Sequence, residues 1–456
     1  MTLTSEIQYY LDIDNRAKLK ELLNALLPVE QADLISDLPK DQHLKIFNLL
    51  KENDATSTFE WLPLDIQKEL IYALPSERSA RLLNAISPDD RVAFFEELPG
   101  PILNQLLKLL SNEERTLTLK LLGYPEDSVG RLMTPDYLAI KMPWTVQKVL
   151  DYVRKNGHDT ETINILYVID DEGHLIDDIK IRNFLFADPQ KKVHDLADNK
   201  FISLSVKDDQ EVAVNIFRKN NRVALPVIDE HGILLGIVTF DDILNLAKRE
   251  DIEDMQKIGG MEALEAPYMR TPFLELMKKR AGWLVLLFLG EMLTATAMGY
   301  FQDEIAKAVI LSIFIPLIVS SGGNSGSQAA TLVISAMTVG EVKFKDWWRI
   351  MKREIASGLF LGVILGSIAF ARISLWSTFS SVYGEHWLLI AFTIFISLIG
   401  VVLCGTIAGS MLPLLLKRAG ADPTVSSTPF IATFIDVTGI VIYFWVALLV
   451  LQGTLL

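Results

Sequence analysis

The chain has 456 residues, half of them apolar, with a formal net charge of −14. Residues 1–270 carry 31 Lys+Arg against 47 Asp+Glu, net −16, while residues 271–456 carry 12 against 10, net +2. This balance excludes a basic nucleic-acid footprint, and the single cysteine, Cys404, excludes an intramolecular disulfide or a cysteine-clustered metal site.

Residues 1–124 read as an acidic helical array. Leu-Pro or Ser-Pro pairs recur at Pro28, Pro39, Pro63, Pro75, Pro88 and Pro99. Proline suits the first turn of a helix and not its middle, so each pair predicts the start of a short helix. Amphipathic stretches such as "RVAFFEELP" run between them, and stacked helical hairpins are the simplest outcome. The opening "MTLTSEIQYYLDIDNRAKLK" lacks an apolar signal core, which keeps this part in the cytoplasm. With six scattered histidines, zinc chemistry is not expected.

Residues 125–245 hold a tandem repeat. "YVIDDEGHLIDDIKIRNFL" (167–185) and "PVIDEHGILLGIVTFDDIL" (226–244) align without a gap at a period of 59. Each reads as a strand, an acidic-Gly turn, a second strand and a helix start. Helices ending in Arg-Lys-Asn precede both, in "QKVLDYVRKN" and "QEVAVNIFRKN". The pair resembles CBS modules, on the opening "VGRLMTPDYLAI" and the junction "GIVTFDDIL". The first copy departs, with "DDIKIRNFL" where such modules carry a G-x-[IV]-[ST]-x-x-[DE] type of junction.

Residues 246–270 read as a charged connecting helix. Residues 271–456 then contain five apolar runs, near 282–301, 306–338, 355–375, 387–416 and 429–452, each long enough to span a bilayer. Lys and Arg cluster at 278–280, 343–353 and 417–418, which places the N-terminal part and these loops in the cytoplasm and the C-terminus outside. Five helices are an odd number for a self-contained pore, and a homodimer is the remedy.

Two features of the membrane part bear chemistry. The string "SSGGNSGSQAAT" (320–331) places Gly322, Gly323 and Gly326 beside Asn324, Ser325, Ser327 and Gln328. It reads either as close helix packing with polar glue or as an unwound segment lining water. Asp436 lies inside the last apolar run, where a carboxylate costs at least ~2.5 kcal/mol on insertion scales and signals function by default. Its plainer reading is a hydrogen bond to a neighbouring helix. Thr428 is expected to cap this helix ahead of Pro429. Glu291 is the other intramembrane acid, without a comparable polar face. In a dimer, two Asp436 carboxylates repel unless a cation lies between them. Magnesium held through its waters and calcium in a looser cage both suit such oxygens.

Domain order, "GGNSGSQAAT" and "FIDVTG" together resemble the MgtE family of magnesium transporters over almost the whole chain. The resemblance implies a multidomain fold: an α-helical N-terminal superhelix (1–124), α/β tandem CBS modules (125–245), a connecting helix (246–270) and an α-helical membrane domain of five helices (271–456). It implies a homodimeric, Mg2+-selective, channel-like pore in the plasma (inner) membrane, closed when cytosolic Mg2+ is plentiful and modulated by ATP at the CBS modules. Asp436 would be the pore carboxylate, with Ala432 (backbone), Thr428, Asn324 and Ser327 around the same entrance. Ser335 stands where the family carries arginine. The implied cytosolic magnesium sensor is Asp89 and Asp90 of the N-domain, Asp209 and Glu211 of the second CBS module, Asp242, Glu250, Glu253 and Asp254 of the connecting helix, and Asp422. Asn221 and Asn245 stand where relatives have Asp, so fewer charges converge.

Two other functions compete with this one. An ion-coupled transporter of another divalent metal such as Co2+ would use Glu291 as a proton carrier. A membrane-anchored nucleotide sensor would leave Asp436 unexplained. An enzyme is disfavoured, because no P-loop, nucleophile elbow or metal-hydrolase spacing occurs.

Overall fold

Proline sets the rhythm of the first helices. The computed structural model describes residues 3–264 and 267–455. Ten helices open the chain: α1 (Leu3–Asp12), α2 (Arg16–Leu23), α3 (Pro28–Asp37), α4 (Lys40–Phe47), α5 (Glu52–Trp61), α6 (Leu64–Ala73), α7 (Ser76–Ala85), α8 (Pro88–Glu96), α9 (Gly100–Leu107) and α10 (Asn112–Leu122). Pro28 and Pro88 are first residues of their helices, and Pro39, Pro63, Pro75 and Pro99 are N-caps. A missing N–H costs nothing there, because the first helical N–H groups have no partner within the helix. The helices share one apolar core, in which Phe59 meets Phe47 and Phe94 edge-on. Arg91 of α8 is fully buried yet satisfied: it donates to Thr118 Oγ1 at 3.0 Å, to the Leu83 and Ile86 carbonyls, and to Glu114. A buried guanidinium needs such a set.

After the short α11 (Val129–Leu132) the repeat folds as two matching modules. The first comprises β1 (Ala139–Ile140), α12 (Val146–Asn156), β2 (Ile165–Ile169), β3 (Leu175–Lys180) and α13 (Ile181–Leu185). The second comprises β4 (Leu204–Ser205), α14 (Gln210–Asn220), β5 (Ala224–Ile228), β6 (Leu234–Thr239) and the start of α15 (Phe240–Ile258). In each sheet the short strand pairs parallel to the middle one, which pairs antiparallel to the third. The 59-residue period survives in the register. Ile165 faces Lys180 as Ala224 faces Thr239, and both middle strands carry an irregularity one repeat apart, at Val168/Ile169 and Val227/Ile228. Reciprocal hydrogen bonds, Leu175 N–H to the Gly232 carbonyl and Leu234 N–H to the Gly173 carbonyl, tie the modules about a local two-fold.

The chain divides into two compact units, residues 1–247 and 248–456. In the second, α15 ends at Ile258, and Gly260, at φ +75°, turns the chain. The segment 246–270 is therefore not one helix as its charge pattern suggests: residues 259–264 and 267–272 are turn and coil, and 265–266 lie outside the described residues. Then follow α16 (Phe273–Tyr300), α17 (Gln302–Lys307), α18 (Ile315–Thr338), α19 (Trp347–Phe379), α20 (Trp387–Arg418) and α21 (Thr428–Leu451). Among the described residues five spans are long and apolar enough to cross a membrane, matching the five apolar runs. α18, α20 and α21 form the centre, whereas α16 contributes no buried residue and packs along α21.

Candidate functional site

The glycine-rich string does not break its helix. α18 runs unbroken from Ile315 to Thr338, and the glycines serve close packing instead of unwinding. A Cβ on Gly409 of α20 would lie 2.1 Å from the Gly326 carbonyl oxygen, so the two backbones touch. Of the two readings of the string, close packing holds and unwinding does not, because a neighbouring helix backbone leaves room only for glycine at the contact. The polar members of the string then divide. Ser325 is buried, while Asn324 and Gln328 are exposed on the opposite side, Asn324 Nδ2 reaching Ser320 Oγ at 3.5 Å.

α18 meets the start of α21. Ser327 Oγ donates to the Thr428 carbonyl at 3.2 Å, and a Cβ on Gly323 would lie 3.6 Å from Ala432 Cα. Thr428, Ala432 and Asp436 follow at steps of four, so they share one face of α21. Thr428 is not the cap of this helix. Ser427 is, its Oγ accepting from Phe430 N–H at 3.4 Å, because α21 begins one residue earlier than expected. The Thr428 hydroxyl instead donates to the Ile258 carbonyl at 2.9 Å, fixing the end of α15 to the start of α21. Trp283 Nε1 of α16 donates to Ser427 Oγ at 3.2 Å.

Asp436 is half-buried and has a neighbour the sequence did not single out for it. The carboxyl of Glu291 on α16 is close enough to act on it electrostatically. The helices approach closely just beside it: a Cβ on Gly290 would lie 2.9 Å from Thr433 Cγ2.

In the first unit a second group of acids converges. Asp89 and Asp90 open α8, Asp241 and Asp242 open α15, and Glu60 and Glu161 join them. Burial first, then mutual charge, pushes Asp89, Asp90, Asp242, Glu60 and Glu161 each up to about 7. Asp89 is 8% exposed, and its Oδ1 is buried without a hydrogen-bond partner. Ser87 Oγ donates to Asp90 Oδ2 at 3.0 Å, and Thr239 Oγ1 to Asp242 Oδ2 at 2.5 Å. These are oxygen donors of the kind a hard divalent cation takes, but their ligand atoms are not gathered within 4.8 Å of one another, whereas those of Asp170, Glu172 and His174 are. Glu60 and Glu161 were not legible as members, since neither stands near the others in sequence.

The remaining predicted acids are placed otherwise. Asp209 is the N-cap of α14, its Oδ1 accepting from Glu211 N–H at 2.8 Å, with Glu211 in the first turn. Glu250, Glu253 and Asp254 lie on α15 beyond the first unit. Glu253 and Asp422 share a cation the chain itself supplies: Lys257 Nζ is 2.8 Å from each. Asp422 also accepts from Thr424 N–H and Oγ1, and Lys257 with these bonds holds it below the ordinary carboxylate range despite burial. Asn221 is the C-cap of α14 at φ +48°, a left-handed position that asparagine tolerates well. Asn245 and Ser335 are exposed.

A family model described as "Divalent cation transporter" matches residues 315–446, one for the "MgtE intracellular N domain" matches 26–127, and a CBS domain matches 193–249. The magnesium transporter MgtE of Thermus thermophilus is 34% identical over 73% of this chain and 72% of its own. The chain belongs to the MgtE family. The MgtE of Enterococcus faecalis is 33% identical over 74% of this chain and 72% of its own. The crystal structure of the cytosolic domain of the Mg2+ channel MgtE in complex with ATP superposes with a TM-score of 0.51 at 30% identity, over 53% of this chain and 99% of that one. In this MgtE chain the CBS match spans the second module, the copy whose junction keeps the usual pattern.

Proposed function

We propose that this MgtE protein is a homodimeric magnesium channel of the plasma membrane that admits Mg2+ and closes when cytosolic Mg2+ rises. The observation that carries the reading is the strip Thr428–Ala432–Asp436 on α21, joined to α18 through Ser327 and Gly323. It offers a carboxylate, hydroxyls and backbone carbonyls at membrane depth, which suits a divalent ion that keeps part of its water. The unburied apolar face of α16 supports a second copy or lipid beside it. The relatives named magnesium transporters support the choice of ion.

The functional parts are the helical domain (1–124), the CBS modules (125–245), the connecting segment (246–270) and the pore (271–456). Closure would follow from Mg2+ binding to the acids at Asp89, Asp90 and Asp242, joined by Glu60 and Glu161, and to those on the connecting segment. Unliganded, such acids repel one another; a bound cation favours the arrangement that brings them together, and only by its differential affinity. ATP at the CBS modules would modulate this, as the solved cytosolic domain with ATP suggests.

A second reading, an ion-coupled carrier of another divalent metal such as Co2+, is favoured by the nearness of Glu291 to Asp436. Electrical recording in planar bilayers separates the two. A channel passes unitary current down a Mg2+ gradient with no coupling ion; current that requires a second gradient assigns the carrier.

A further inference from the structure

The first CBS module carries a cleft of about 450 Å3, between β3, α13, the loop after residue 195 and Arg222 of the second module. Its chemistry differs from what an adenine requires. A base is normally gripped by flat apolar surface with a few directed polar groups. No aromatic residue lines this cleft, and its apolar wall is Ile179 and Leu196.

The acids at its floor are already engaged. Asp177, standing where such modules carry glycine, spends both oxygens on backbone: Oδ1 accepts from Asp178 N–H at 2.8 Å, and Oδ2 from Asp198 and Asn199 N–H at 2.9 and 3.0 Å. Asp178 Oδ2 accepts from Arg222 Nη1 at 2.7 Å, while its Oδ1 is buried without a partner. Arg222 is thereby held over the floor and withdrawn from the mouth. Of the four cations lining the cleft, only Arg222 is in a salt bridge among the described residues; Lys180, Arg182 and Lys200 are not.

We infer that this cleft holds a nucleotide by its polyphosphate and leaves the base unread. Three cations around one opening, none in a salt bridge among the described residues, suit a chain of phosphates, whose charge-assisted bonds are the strong contacts available here. The inference rests on the reading that the CBS pair binds ATP and alters what is recognised: ATP, GTP and inorganic tripolyphosphate share the feature that counts.

The test is calorimetry on the purified full-length protein with ATP, GTP, tripolyphosphate and adenosine in turn. The cleft predicts ATP and GTP affinities within about threefold of each other, tripolyphosphate within about tenfold of ATP, and no heat from adenosine, because the phosphate contacts dominate. Lys180→Gln with Lys200→Gln should weaken ATP and tripolyphosphate alike, by about tenfold. ATP binding more than about tenfold tighter than GTP, measurable adenosine binding, or a double variant with unchanged affinity would overturn the inference and leave the nucleotide reading standing. Heat from none of the four ligands would remove the nucleotide reading with it.

Discussion

Lys257 Nζ lies 2.8 Å from Asp422 Oδ2, joining the last turn of α15 to the loop that precedes α21. The same ammonium lies 2.8 Å from Glu253 Oε1, so a fixed cation stands between two acids proposed as magnesium ligands. Burial works against its charge, but Asp422 and Glu253 outweigh burial and raise its pKa. Divalent ions arriving here must share these oxygens with a tethered lysine.

Lys257→Met should therefore loosen the end of α15. Hydrogen exchange of residues 251–258 without Mg2+ should quicken by about two- to fivefold, the worth of a partly exposed ion pair. Added Mg2+ should restore protection, because Glu253 and Asp422 are then free to chelate it. Exchange unchanged by the substitution would show that the pair does not hold this helix.

The acids around Asp89 set a pH dependence with a definite sign. Their folded values near 7 lie above the ordinary carboxylate range near 4. Between about pH 4 and pH 7 the folded state then binds more protons than the unfolded one, so stability falls as pH rises through that window. Protection factors in residues 88–96 and 240–247 should fall from pH 5 to pH 8, and Mg2+ at pH 8 should recover them. A rise with pH in the absence of Mg2+ would contradict the cluster as described.

Asn221→Asp with Asn245→Asp adds two carboxylates beside α14 and α15. If the sensor works by bridged acids, the double variant should lower the Mg2+ concentration at which residues 246–270 become protected from protease. The left-handed φ of Asn221 accepts aspartate with little strain, so misfolding is not the expected outcome. A midpoint that moves upward would contradict the bridging account.

The α18–α20 contact predicts a packing defect. Gly409→Ala places a methyl 2.1 Å from the Gly326 carbonyl oxygen, against backbone that cannot rotate away. Overpacking of this kind costs about 1–3 kcal/mol, and more where backbones must part. The variant should lose several degrees of thermal stability in detergent, whereas Gly299→Ala, with nothing within 4 Å, should not. Equal melting of the two variants would refute the close approach.

Local chemistry was the legible part of this molecule. The prolines at Pro28 and Pro88 predict helix starts because proline's lost N–H is harmless only there. The 59-residue period predicts two equal sheets down to their irregularities, since strand register follows the alternation of side chains. The glycine string left two readings open and the structure selects packing, because a run that weakens an isolated helix is tolerated where a partner helix presses against it. Relations across long sequence distance were hidden. Glu291 acts on Asp436, and Asp242 on Glu161, across separate elements, and no local pattern marks such neighbours.

The central claim is that Asp436 is the ion-binding carboxylate of a magnesium pore, and Mg2+ entry into proteoliposomes tests it most directly. Wild-type protein should carry Mg2+ inward when the face bearing the soluble unit is bathed in low Mg2+. Asp436→Ala should abolish that flux while the protein still elutes as a folded dimer, and Asp436→Asn should pass monovalent ions with lost selectivity. Mg2+ entry by Asp436→Ala at the wild-type rate would contradict the account.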